Sequence, residues 1–147
     1  MQTKLFIGGE FVDGLAGGTI EVTNPFNQEK LADVAEARAE DVDRAVDAAA
    51  RAFPAWSRTG ASERGRLLLA LASAIEANAG RLAELESRDT GHPIRDTANL
   101  DVPRTVLGFR YFGGIADKIE GSVIPVDPGF LNYVEREPVG VVGQIVP

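Results

Sequence analysis

Val139-Gly140-Val141-Val142-Gly143-Gln144-Ile145-Val146 is an almost unbroken apolar run with no polar-out alternation. A strand of that kind has two greasy faces, and its natural place is inside a parallel sheet covered on both sides by helices. Parallel neighbours are reached only through crossover connections, usually helical. Pro147 follows directly, so the expected neighbours lie outside this stretch of sequence. The run therefore predicts an α/β fold and an interior strand cut off from its partners.

Composition narrows the class. Of the 147 residues, 44% are hydrophobic and 25% charged, the balance of a globular chain and not of a disordered one. Lys+Arg number 15 against 22 Asp+Glu, a net charge of −7; nucleic-acid binding needs clustered basic excess, so no nucleic-acid partner is expected. Cysteine is absent, which removes disulfides, thiolate metal sites and a cysteine nucleophile from these residues. No apolar run reaches the roughly 18 residues of a membrane span. The opening residues arrive at Gly8-Gly9 too soon for a signal-peptide core. The expected setting is cytoplasmic, without a membrane partner.

Local signals place the elements. Leu5-Phe6-Ile7 and Glu10-Phe11-Val12 flank Gly8-Gly9, a hairpin signature because glycine accepts the positive φ of a two-residue turn. Thr19 to Thr23 and Leu31 to Ala35 read as further strands. Val42, Ala45, Val46, Ala49 and Phe53 recur at helical period, predicting a first helix over about Glu40 to Phe53, stopped by Pro54. Its N-cap position, Arg38 or Ala39, carries a poor capping residue. A second helix is expected from a Thr59 cap through Glu63 to Asn78. Leu67, Leu71, Ala74, Ile75, Leu82 and Leu85 carry its stripe past a bend at Gly80 to a glycine cap at Gly91. A third is expected over about Asp101 to Asp117, with Asp101 as cap and Pro103 in the first turn. Val123 to Val126 and Phe130 to Val134 flank Asp127-Pro128-Gly129 as a second hairpin.

Few side chains offer chemistry. His92, the only histidine, has no nucleophile or second imidazole to work with and reads as an exposed loop residue. Trp56, beside Phe53 and Pro54, reads as a core plug. Glu135 and Glu137 alternate with Arg136, so a strand there would put the acids on one face and the arginine on the other. Gly140 and Gly143 lack the third glycine and following helix of a dinucleotide fingerprint. There is no Ser-His-Asp set and no HExxH, and no catalytic residue can be named.

In register along the whole chain stand Leu5-Phe6-Ile7-Gly8-Gly9-Glu10-Phe11-Val12, Asn24-Pro25, Glu40-Asp41-Val42-Asp43-Arg44-Ala45-Val46, Phe53-Pro54-Ala55-Trp56 and Glu63-Arg64. They are followed by Leu85-Glu86-Ser87-Arg88-Asp89-Thr90-Gly91, Tyr111-Phe112-Gly113-Gly114, Ile119-Glu120-Gly121, Arg136-Glu137-Pro138-Val139-Gly140-Val141-Val142 and Ile145-Val146-Pro147. This set resembles the N-terminal part of the NAD(P)-dependent aldehyde dehydrogenase superfamily, in its betaine-aldehyde and semialdehyde branch. Where the family usually has lysine, this chain has His92.

The resemblance implies the N-terminal part of the aldehyde dehydrogenase fold. Residues 1–120 would be the helical and hairpin part of the cofactor-binding domain. Residues 121–137 would be an arm through which members form homo-oligomers, dimers or tetramers, and 138–147 the first strand of a Rossmann-like sheet. Family members oxidise an aldehyde to a carboxylic acid with NAD or NADP. A cysteine thiolate forms a thiohemiacetal, and a glutamate-activated water releases the acid. Those groups lie beyond Pro147, so the chain alone is expected to be inactive. By the resemblance, Ile145, Val146 and Pro147 would line one edge of the cofactor cleft, and Thr23 and Asp89 would help hold a monovalent cation. A stand-alone interaction or oligomerisation module derived from the same family is the competing expectation, and a small nucleotide-binding module a third.

Overall fold

The structure, a computed structural model, describes residues 2–146. It begins with two antiparallel strand pairs. β1 (Leu5–Ile7) and β2 (Glu10–Val12) pair with Ile7 opposite Glu10. The turn between them places Gly8 at φ 64° and Gly9 at φ 90°, a conformation whose twist matches that of the strands. Phe6 and Phe11 face each other across the pair, ring centroids 5.0 Å apart. β3 (Thr19–Thr23) pairs with β4 (Lys30–Ala35), and the register slips between Val22 and Thr23. Lys30 holds this pair laterally, 2.7 Å from Asp33 and 3.4 Å from Glu21.

Helix α1 (Ala39–Trp56) runs three residues past the expected stop. Proline lacks only the N–H that would bond back to residue i−4, and Pro54 falls in the last turn, where the helix closes on a bond from the Ser57 N–H to the Phe53 carbonyl, 2.8 Å. At the other end Arg38 is the N-cap residue, and the Asp41 carboxylate accepts its backbone N–H at 3.2 Å. That is the reciprocal half of a capping box, supplied from N3. The expected stripe does not face inward: Val42 and Val46 are about half exposed, and Asp41 is buried instead.

The long second helix divides in two. α2 (Ala61–Ala77) starts from Gly60, not Thr59, because the Thr59 hydroxyl turns back to the Ala55 carbonyl and its own carbonyl accepts the Arg64 guanidinium. The break before α3 (Ala79–Thr90) falls at Asn78, not Gly80. Asn78 sits at φ −111°, ψ 14°, and its amide donates to the Ala74 carbonyl at 2.8 Å, the local side-chain competition that makes asparagine a helix interrupter. Gly91 ends α3 as expected, at φ 77°, with its N–H on the Ser87 carbonyl.

A short turn, α4 (Ile94–Asp96), then a π-helical turn over Thr97–Asp101, lead directly into α5 (Val102–Ile115). Asp101 is therefore not a cap. Its own backbone is already helical, and the Val102 N–H is satisfied by the Thr97 carbonyl. α2 and α5 form the main helix pair. Gly65 and Gly113 make the crossing possible: a Cβ on Gly65 would stand 2.7 Å from the Gly113 carbonyl oxygen. The buried apolar residues, Ala72, Ala83, Val102, Val106 and Ala116, are all small. Thr97, fully buried, joins the π turn to α3 through a 3.0 Å hydrogen bond to the Ala83 carbonyl.

β5 (Ser122–Ile124) and β6 (Asn132–Val134) form the second hairpin, shorter than the sequence suggests. No strand forms over residues 135–146. The expected interior ribbon is open chain, with Val139 95% and Ile145 101% exposed. A strand exists only through its ladder, and among the described residues the strands form three separate antiparallel pairs, none of which takes up residues 135–146. The mixed helix-and-strand class stands, while its parallel sheet is not formed by this stretch of chain.

Candidate functional site

The residues expected to edge a cofactor cleft do not build one here. Ile145 is fully exposed and Val146 66% exposed; Pro147 lies outside the described residues. No glycine loop opens a helix beside them, so the described residues offer no cradle of backbone donors for a pyrophosphate.

The expected cation residues stand at the ends of two elements. Thr23, half-buried, ends β3 at the register slip. Asp89 sits exposed in the last turn of α3. The two are linked through their neighbours, since a Cβ on Gly91 would stand 2.8 Å from Pro25 Cγ. Among the described residues no side-chain hydrogen bond or ion pair holds the Asp89 carboxylate.

A third group was missed by sequence reasoning. The carboxylates of Glu86 and Asp101 and a ring nitrogen of His92 lie within 4.8 Å of one another. Glu86 comes from α3, His92 from the loop after it and Asp101 from the end of the π turn. The loop is clamped, because the Ser87 hydroxyl donates to the His92 carbonyl at 2.7 Å and the His92 N–H donates to the Thr90 hydroxyl at 3.2 Å. His92 is 43% exposed, as a loop residue should be, yet its Nδ1 stands 2.7 Å from Asp101 Oδ2. That oxygen is sealed from solvent and receives no well-directed hydrogen bond. The adjacent Asp96 carboxyl lies below its ordinary range, first because Arg95 hydrogen-bonds it and lastly because His92 is near. Only the folding of the π turn brings Asp101 back to His92; no spacing rule signals it.

A concave apolar surface is the other prominent feature. A cavity of about 490 Å³ opens between the end of α1, α2 and α5, walled by Leu67, Leu71, Phe112 and Trp56. Trp56 is therefore not a plug: it is 52% exposed. Among the described residues, no helix is long and apolar enough to cross a membrane.

Comparison with known proteins gives these features a family context. The family model described as the aldehyde dehydrogenase family matches residues 11–147. The chain is 46% identical over 147 residues to a mitochondrial aldehyde dehydrogenase of Leishmania tarentolae, covering all of this chain and 30% of that protein. PnpE from Pseudomonas sp. WBC-3 superposes with a TM-score of 0.96 at 65% identity, over 100% of this chain and 30% of its own. An aldehyde dehydrogenase from Bacillus cereus, solved as an NAD+ complex, superposes at 0.90 with 41% identity, over 95% and 29%. The chain thus spans about 30% of the length of the relatives it matches. A match running through nearly every residue, in sequence and in backbone alike, settles the family: the chain belongs to the aldehyde dehydrogenase family.

Proposed function

We propose that these residues are the N-terminal portion of an enzyme that oxidises an aldehyde to a carboxylic acid, with NAD or NADP as hydride acceptor. One observation carries the reading: the backbone superposes on PnpE with a TM-score of 0.96 across the whole chain, at 65% identity. The open apolar surfaces support it. Leu67, Leu71 and Phe112 are 39%, 43% and 60% exposed on facing helices, and the remaining two-thirds of such a protein would cover them. In that larger molecule residues 138–147 are the first strand of the Rossmann-like sheet, and Ile145, Val146 and Pro147 line one edge of the cofactor cleft. Residues 121–137 form the arm of a homo-oligomer, and Thr23 and Asp89 help hold a monovalent cation. This stretch carries no catalytic side chain. The cytoplasm is the compartment we propose, supported by the name of a relative from Macroscelides proboscideus, a cytosolic aldehyde dehydrogenase; the name of the Leishmania relative places that protein in the mitochondrion.

The same open surfaces favour a second reading, a non-catalytic oligomerisation module that docks on a full-length relative. One experiment separates the two. The polypeptide encoded by the whole reading frame and the 147-residue chain are each purified and offered a panel of aldehydes with NAD and with NADP. Aldehyde-dependent formation of reduced nicotinamide is expected from the first and none from the second. A complete reading frame with no turnover on any aldehyde overturns the dehydrogenase reading, and turnover by the 147-residue chain overturns the statement that this stretch carries no catalytic side chain.

A further inference from the structure

We propose that Glu86, His92 and Asp101 form a binding site for a divalent cation of the zinc class. The donor set is the first reason. Two carboxylates and one imidazole suit borderline first-row cations, and their two negative charges balance the ion. Convergence is the second: all three ligand atoms already lie within 4.8 Å of one another. Zinc holds nitrogen and oxygen at about 2.0–2.2 Å, which places tetrahedral ligands about 3.4 Å apart, so side-chain rotations that part the 2.7 Å His92–Asp101 pair by under about 1 Å admit the ion.

The third reason is independent of the first two. Asp101 Oδ2 is buried at the atomic level with no hydrogen bond of proper direction, and a buried acceptor without a partner is costly. Its nearest neighbour, His92 Nδ1 at 2.7 Å, answers this only with a proton on that nitrogen. A cation in place of the proton would satisfy the oxygen and the imidazole together, and Glu86, without a side-chain partner among the described residues, would complete the charge balance.

The scaffold is fixed before any ion arrives. Glu86 and Asp101 stand on helical elements that the buried Thr97–Ala83 hydrogen bond ties together. The His92 loop is held from both sides by Ser87 and Thr90. Ordering costs on binding are therefore small. Glu86 and Asp101 are partly exposed and His92 is exposed, which leaves the remaining coordination positions to water.

The test uses the untagged full-length protein, stripped of metal and titrated with Co²⁺, whose visible absorption bands report its ligands, followed by displacement with Zn²⁺. The variants are His92→Lys and Asp101→Asn. Lysine puts an ammonium between the two carboxylates, so the His92→Lys protein keeps its charge pairing and melts like the parent without metal. A stoichiometric band that Zn²⁺ displaces, lost in His92→Lys because a protein ligand is gone and an ammonium stands in the ion's place, is the expected result. Equal binding by parent and His92→Lys, or no band in the parent, overturns the site. Should Asp101→Asn fail to fold, His92→Lys alone decides.

Discussion

Asp41 shows how one side chain can hold an arrangement that no local pattern announces. It is 1% exposed and accepts the backbone N–H of Arg38 at 3.2 Å and that of Leu15 at 3.1 Å, with Arg44 3.4 Å away. The first bond is capping of its own helix; the second reaches back 26 residues and pins the Gly14–Gly18 loop against α1. Replacing Asp41 with alanine removes two part-buried hydrogen bonds to a buried carboxylate, a loss of about 1–3 kcal/mol, whereas Asp41→Asn retains an acceptor and loses less. Denaturant midpoints of the two variants in the full-length protein check that order. Asp41's place in the first turn of α1 is the kind of feature a sequence displays, since negative charge suits a helix N-terminus. Its bond to Leu15 is not, because nothing in the chain's periodicity records what a loop 26 residues away will do. Gly8, Gly9 and Gly91 stand at the opposite pole: their positive φ values are a local demand, and local demands are legible.

At the scale of elements, the close crossing of α2 and α5 sets opposite signs for two glycine substitutions. Within a helix, alanine is ordinarily favoured over glycine by roughly 0.5–1 kcal/mol. At Gly108 in α5 a Cβ would meet nothing within 4 Å, so Gly108→Ala is expected to stabilise by about that amount. At Gly65 it would meet the Gly113 carbonyl at 2.7 Å, and backbone cannot step aside. Overpacking of that kind costs about 1–3 kcal/mol and outweighs the propensity gain. Thermal melts of the two variants should therefore shift in opposite directions; a shift of the same sign in both would show that the helices do not cross this closely. The misread helix boundaries have a different cause. Spacing gave three helices and their approximate limits, but the division at Asn78 and the π turn over Thr97–Asp101 depend on side chains bonding to backbone and on Thr97 being drawn under α3.

Across the whole molecule the small size of the buried residues is decisive. The core is alanine and valine, while Phe112, Trp56, Tyr111 and Ile119 are more than half exposed. Large side chains make most of the hydrophobic contribution when buried, and here that contribution is withheld. The 147-residue chain is therefore expected to bind a hydrophobic dye strongly and to self-associate, and the full-length protein to do neither; dye fluorescence and light scattering on the two compare them directly. Sequence by itself determined the order of the hairpins and the main helices, the hairpin turns and the apolar character of Val139–Val146, because each rests on short-range sterics or on a pattern carried within a few residues. Only the tertiary structure decided which face of each helix is covered, where Asp41 and Asp101 send their carboxylates, and that the apolar tail stays unpaired here. Those outcomes depend on which distant segments are present to meet a given surface, and a strand or a buried charge has no stable form until its partner is in place.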